Sequence, residues 1–249
     1  MSLGSVVITG ASRGIGAATA VLAAKRGFSV CVNYTSNEEA ADQVLAKVTE
    51  NGGMAIKVQA DVSREDEVAR MFDRCEQELG HLSGLVNSAG IMSPNMRLET
   101  MDFARLERVF RINVLGSILC AKEAVRRMSR TNGGHGGAIV NLSSVASQHG
   151  APGENVDYAA SKGAIDSFTK GLAKEVAADG IRVNCVRPGL TATELHESTG
   201  DPERIVNLAP YVPIKRVAEP HEIAEAIMWF LSDQSSYCVG AILDVSGGR

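Results

Sequence analysis

Short apolar runs alternate with segments of helical period along the whole chain. Residues 6–9 (VVIT), 30–34 (VCVNY), 55–62 (AIKVQADV), 85–87 (LVN), 138–144 (AIVNLSS), 181–186 (IRVNCV) and 241–245 (AILDV) predict seven strands. These runs are apolar at nearly every position rather than at alternate ones. Strands covered on both faces require that, so the sheet is expected to be mostly parallel. Between them, residues 14–26, 37–51, 64–79, 102–130, 158–178 and 219–232 carry apolar positions at helical spacing, as in Ala160, Ala164, Ile165, Phe168, Leu172 and Val176. Such alternation predicts right-handed βαβ crossovers and an α/β, doubly wound architecture. The glycine-dense TNGGHGG at 131–137 reads as the end of a helix turning into a strand. No linker, repeat or low-complexity tract interrupts the pattern, so residues 1–249 are expected to form one domain.

Composition narrows the function classes. With 45% apolar and 22% charged residues over 249 positions, the chain is neither disordered nor fibrous. A net charge of -4 and the lack of any Lys/Arg run longer than two give no reason to expect a nucleic-acid partner. The five cysteines, Cys31, Cys75, Cys120, Cys185 and Cys238, are scattered without a C-x-x-C pair, which fits a reducing compartment, and the cytoplasm is expected. No stretch approaches the roughly 18 apolar residues of a membrane span, and the N-terminus lacks a basic region followed by an apolar one. His149, His196 and His221 lack companion carboxylates at ligand spacing and read as surface histidines, so no metal is expected.

Two motifs carry chemistry. Directly after the first run comes TGASRGIG, with Gly10, Gly14 and Gly16 at a turn into a helix. Glycine lets the backbone turn tightly and approach a pyrophosphate, while the free N–H groups of the new helix face the anion. Its place between a strand and a helix is the context a dinucleotide site needs. Tyr158 and Lys162 stand four apart in a predicted helix, so their side chains leave one face about 6 Å apart. A phenol is a poor acid or base at neutral pH until an adjacent ammonium favours its phenolate, and Lys162 is placed to supply that charge. Ser144 ends a strand fourteen residues earlier, at the sheet edge where open parallel sheets bind ligands, and its hydroxyl can share a substrate oxygen with Tyr158. Ser143 is the neighbouring rival, and alternation along the strand sends it to the opposite side.

The spacing G-x-x-x-G-x-G, followed by YAASK at 158–162, resembles the short-chain dehydrogenase/reductase family. The resemblance extends through Asp61 after the third strand, NSAG at 87–90, Asn113 in INVLG, Ser144 in NLSSVAS, PG at 188–189 and GG at 247–248. Ser88 is a departure, since the family usually has a second asparagine there. The resemblance implies a single-domain Rossmann fold, a homotetramer and a hydride-transfer enzyme with Asn113, Ser144, Tyr158 and Lys162 as catalytic residues. It also implies cofactor contacts from Gly10, Ser12, Arg13, Gly14, Ile15 and Gly16 in the turn, and from Asn33, Tyr34 and Thr35 at the end of the second strand. Asp61 and Val62 would meet the adenine; Asn87, Ala89 and Gly90 would line the adenosine side. Tyr158 and Lys162 would touch the cofactor too, and Pro188, Gly189, Leu190 and Thr193 would hold the carboxamide. The kink at Asn113 would free its backbone carbonyl to hold a proton-relaying water; a buried amide satisfied by neighbouring backbone is equally compatible with the residue.

Coenzyme preference follows from the second strand, which ends Asn33-Tyr34-Thr35-Ser36 without the acid that usually bonds both ribose hydroxyls of NAD. Arg13 in the glycine turn can meet a 2′-phosphate, so NADPH is expected to be preferred over NAD(H). The segment Thr191–Arg216, with Pro202, Pro210 and Pro213, is the longest without a clear strand and is expected to form a substrate lid. Glu154, Met92, Met96, Leu195 and Leu208 are expected to complete its pocket. The resemblance implies a small carbonyl or alcohol compound as substrate. A sugar or polyol dehydrogenase and a cofactor-bound sensor without catalysis are the alternatives.

Overall fold

Strands apolar on every residue need two covering layers, and the computed structural model supplies them. It describes residues 3–201 and 203–249; Pro202 and the side chains of residues 196–198, His196 among them, lie outside the described residues. The strands are β1 (Ser5–Ile8), β2 (Ser29–Tyr34), β3 (Ala55–Gln59), β4 (Leu82–Asn87), β5 (Gly137–Leu142), β6 (Ile181–Pro188) and β7 (Ile242–Val245). They form one sheet in the order β3-β2-β1-β4-β5-β6-β7, with every neighbouring pair parallel. The strand order reverses between β1 and β4, which opens a crevice at their carboxyl ends.

The helices are α1 (Gly14–Lys25), α2 (Glu38–Glu50), α3 (Glu65–Leu79), α4 (Phe103–Phe110), α5 (Ser117–Met128), α6 (Ala146–His149), α7 (Val156–Val176), α8 (Arg204–Leu208) and α9 (Pro220–Leu231). Successive strand residues serve opposite cores. Val6, Ile8, Val30 and Val32 pack with Ala20 and Ala23 of α1 and Ile223 and Ile227 of α9. Val7, Cys31 and Leu85 pack with Phe72 of α3, Ala124 of α5 and Val176 of α7.

Several boundaries differ from the sequence pattern: β4 begins at Leu82 rather than residue 85, β5 ends at Leu142, so that Ser144 follows the strand instead of ending it, and β6 runs on to Pro188. The third strand stops at Gln59 rather than running to residue 62, because its partner β2 ends at Tyr34 and the bond from the Ala60 N–H to the Tyr34 carbonyl at 2.9 Å closes the ladder. The expected helix over 102–130 is three pieces: α4, a π-helical turn at Arg111–Gly116 and α5. The π turn inserts a residue into the helical phase, which a period of 3.6 cannot register. No helix among the described residues is long and apolar enough to cross a membrane.

Candidate active site

A cleft of about 630 Å³ opens over the carboxyl ends of the strands. Its floor is the glycine turn, which the backbone explains directly. Gly10 and Gly14 take left-handed φ of 62° and 53°. A Cβ on Gly10 would stand 2.9 Å from Ala89 Cα, and one on Gly16 would stand 2.5 Å from the Gly10 carbonyl oxygen. The turn is therefore closed to side chains and open to a ligand's phosphates at the N-terminus of α1, a donor set that fits a dinucleotide. Asn33 braces it: Oδ1 accepts from Gly10 N–H at 3.1 Å while Nδ2 donates to the Ala60 carbonyl at 2.9 Å. Thr9 Oγ1 accepts from the N–H groups of Ser88 and Ala89, each at 3.0 Å. That loop is held through its own N–H groups, whichever side chain stands at position 88.

Arg13 is exposed on the cleft and makes no ion pair among the described residues. The first acid after β2, Glu38, is engaged with Lys57 at 2.9 Å and is not on the cleft wall. Ser12, Ile15, Tyr34, Thr35, Val62, Gly90, Pro188, Gly189, Leu190 and Thr193 line the cleft, as does Asp61, whose Oδ1 accepts from Ser63 N–H at 2.9 Å. Ser36 and Asn37 extend the wall beyond β2 and were not anticipated.

Two residues expected at the cofactor or the reacting groups sit behind the cleft wall. Asn87 is buried away from the cleft, its Nδ2 donating to the Ser117 carbonyl at 3.0 Å and to Asn141 Oδ1 at 2.9 Å; Asn141 in turn donates to Thr169 Oγ1 at 2.9 Å. It is a strut between sheet and helices, because the last residue of a central strand points into the layer it packs against. Asn113 is fully buried in the π turn. Its Oδ1 accepts from Ile91 N–H at 2.8 Å, and its Nδ2 donates to the Ile91 carbonyl at 3.0 Å and to Ser161 Oγ at 3.1 Å. The Asn113 carbonyl itself accepts from Ser117 Oγ at 3.0 Å.

At the opposite end α7 presents Tyr158 and Lys162, with Ser144 in the loop after β5. Ser143 turns inward and donates to the Lys162 carbonyl at 2.9 Å, so the alternation separates the two serines. Burial pushes the Tyr158 phenol up to about 12, against a hydrogen-bonding interaction with Ser144 that lowers it. Burial also pushes Lys162 down to about 8, against the pull of Cys185 and Asp166. Lys162 Nζ lies 5.6 Å from the centre of the Tyr158 ring and donates to the Leu142 carbonyl at 2.9 Å. The expected lowering of the phenol by Lys162 is therefore not the dominant effect in the polypeptide alone: desolvation raises the tyrosine, and the ammonium is directed at a carbonyl.

The first turn of α7 is clamped from below. Arg105 Nε and Nη2 donate to the two carboxylate oxygens of Asp157 at 2.8 and 3.1 Å, Nη2 also reaches Asn155 Oδ1 at 2.9 Å, and Nη1 reaches the Pro94 carbonyl at 2.6 Å. The pair is buried, at 9% and 0% side-chain exposure. Met92, Glu154 and Leu195 line the cleft; Met96 and Leu208, both half-buried, do not. Arg204, which no pattern in the sequence singles out, lines it and bonds Glu154 at 2.6 Å.

A family model described as enoyl-(acyl carrier protein) reductase matches residues 10–249. The chain is 51% identical over 243 residues to the uncharacterized oxidoreductase YgfF of Escherichia coli (strain K12), with 98% of each covered. It is 42% identical over 243 residues to cis-4-hydroxycyclohexanecarboxylate dehydrogenase of Sinomonas cyclohexanicum, covering 97% of this chain and 94% of that one. A solved short-chain type dehydrogenase/reductase from Mycobacterium marinum superposes with a TM-score of 0.91 at 33% identity, covering 99% of this chain and 95% of that one.

Proposed function

The chain belongs to the short-chain dehydrogenase/reductase family, oxidoreductases that use a nicotinamide cofactor on alcohol and carbonyl groups, and we propose that it is an NADP(H)-dependent enzyme acting on a small carbonyl or alcohol compound. The observation that carries this is one cleft holding a side-chain-free phosphate cradle at one end and Ser144, Tyr158 and Lys162 at the other. Preference for NADPH rests on Arg13, exposed beside the cradle, and on the engagement of Glu38 with Lys57.

A bound nicotinamide supplies or takes up the hydride. Tyr158 holds the proton that passes to or from the substrate oxygen, and Ser144 donates a hydrogen bond to the same oxygen as charge develops on it. Lys162 would lie against the ribose and keep the tyrosine's proton exchangeable. Asn113 acts through others: from behind the cleft it fixes Ile91 on the cleft wall and Ser161 on α7. Thr191–Arg216 is the substrate lid. It is tethered by Asn95 N–H to the Thr199 carbonyl at 3.0 Å and by Arg204 to Glu154 at 2.6 Å. The exposed Phe103, Phe110 and Leu115 on the α4–α5 face and Trp229, Tyr237 and Leu243 near β7 support a homotetramer. Five unpaired thiols, four of them buried, support a reducing, cytoplasmic setting.

The test is titration of NADPH and NADH by nicotinamide fluorescence, with NADPH-linked absorbance over a library of carbonyls and alcohols. Wild type binds NADPH more tightly than NADH, and Arg13→Ala weakens NADPH selectively. Equal or reversed affinities overturn the coenzyme assignment, and a library with no turnover overturns the enzymatic one.

A further inference from the structure

Beyond its tether to Glu154, one buried cation of the cleft takes no part in the hydride chemistry. Arg204 opens α8 at 9% exposure, and its Nη2 donates to Glu154 Oε2 at 2.6 Å. Its Nε is fully buried and has no hydrogen-bond partner among the described residues. A guanidinium cannot shed its proton, and a buried N–H without an acceptor costs free energy, so this donor is built for an oxygen that arrives from outside.

The neighbourhood gives that oxygen its character. Glu154 belongs to the turn that begins at Ala151, whose carbonyl accepts from the Glu154 N–H at 3.3 Å. Ala151 packs with Ala146 and Tyr158, and Met92 covers them, so the wall between the turn and the phenol is apolar. His149 Nδ1 accepts from Ala151 N–H at 3.2 Å, which leaves its proton on Nε2. Burial, then the guanidinium of Arg249, hold that imidazole below its ordinary value, with Glu154 opposing and Arg204 adding to the effect. The guanidinium groups of Arg204 and Arg249 thus share this end of the cleft with Glu154, beside an apolar wall.

Resting on the hydride-transfer reading above, we propose that Arg204 is the residue that selects the substrate, anchoring a carboxylate while the carbonyl at the other end of an apolar body meets Tyr158 and Ser144. The substrate class is a keto acid, or the matching hydroxy acid in the reverse direction. Glu154 holds the guanidinium in place and tempers its affinity, since the incoming carboxylate shares the cation with it.

Two arms test this. Binding of hexanoate, a carboxylate without a carbonyl, is measured by calorimetry on wild type, Arg204→Gln and Glu154→Gln. Arg204→Gln weakens hexanoate roughly ten- to hundredfold, the range for a hydrogen bond to a charged group, whereas Glu154→Gln tightens it. If Arg204 merely latched the lid, the two variants would lose the same contact and shift binding in the same direction, and that result overturns the proposal. In the second arm, keto acids of differing length and their methyl esters are compared with NADPH. Wild type favours the acids in kcat/KM, and the acid-to-ester ratio collapses in Arg204→Gln. Turnover of esters and acids alike overturns the carboxylate anchor while leaving the oxidoreductase standing. Hexanoate binding with the expected opposite shifts, but no turnover of any ketone, supports the anchor and retires the hydride-transfer reading.

Discussion

Lys162 is a buried base whose charge the fold resists, and its replacement by methionine exposes the cost. Burial brings it from 10.5 to about 8, a charging penalty of roughly 3 kcal/mol at neutral pH. Below pH 8 both the native and unfolded chains hold the proton, and the fold carries the whole penalty. Between pH 8 and 10.5 the unfolded chain binds more protons than the native one, so stability rises with pH across that window. Lys162→Met removes this rise. It also removes the bond to the Leu142 carbonyl, worth about 1–3 kcal/mol, so the difference at any single pH mixes two effects, whereas its change with pH isolates the ionisation. Tyr158 has the opposite sense, being raised from 10 to about 12. It withdraws stability only as pH climbs above 10, and it is common to both proteins. The assay is urea unfolding of wild type and Lys162→Met from pH 7 to 10, read by the fluorescence of Trp229, the chain's single tryptophan. The variant is expected to lose roughly 2–3 kcal/mol relative to wild type as pH rises through the window. Parallel stability curves, with a difference constant to within about 1 kcal/mol, would refute a desolvated, depressed lysine.

Three further outcomes are expected. Tyr158→Phe keeps cofactor affinity and lowers kcat/KM roughly 10²- to 10⁴-fold, the contribution of a positioned acid or base; near wild-type turnover would remove Tyr158 from the chemistry. Arg105→Ala leaves the Asp157 carboxylate buried and unpaired, costing roughly 3–5 kcal/mol and lowering the melting temperature by about 6–20 °C for a domain of this size. The exposed pair Arg70–Asp66 supplies the control, and a loss no larger than that of Arg70→Ala would show the clamp to be idle. Light scattering at micromolar concentration shows four copies of the 26.3 kDa chain; a stable monomer contradicts the apolar faces as an interface.

The sequence displays the sheet because strands covered on both sides must be apolar throughout, and each of the seven runs matches a strand to within a few residues. What it hides is long-range. Arg105 reaches Asp157 across a separation of 52 residues, and in the sequence each reads as an ordinary helical charge. The buried amides of Asn33, Asn87, Asn141 and Asn184 sit in runs that propensity alone would call imperfect strands, yet Asn33 and Asn184 bond backbone groups and Asn87 and Asn141 link sheet to helices. Arg204 escapes notice because an arginine in a proline-bearing loop is by default a solvated cation; only the packing of α8 against Glu154 makes it a buried donor. The π turn was signalled solely by an asparagine in a helical interior, where its side chain is unfavourable unless something else receives it. That receiver is Ile91, 22 residues away.

The opposite displacements of Tyr158 and Lys162 share one cause. Each group is driven toward its neutral form by the same apolar surroundings, so near pH 8 the phenol keeps its proton while the lysine is close to half-charged. A phenol pushed to about 12 gives up its proton only when something stabilises the phenolate, and a lysine poised near 8 can do so at little cost by taking on charge. The two sit one helical turn apart on α7, whose first turn is pinned by Arg105 and whose Ser161 is held by Asn113. Their separation is thereby fixed before any substrate arrives. On the proposed mechanism the fold's contribution to proton transfer is this preorganisation, a protonated phenol and a readily charged lysine held one helical turn apart, with Ser144 on the adjoining loop to share the oxygen on which charge appears.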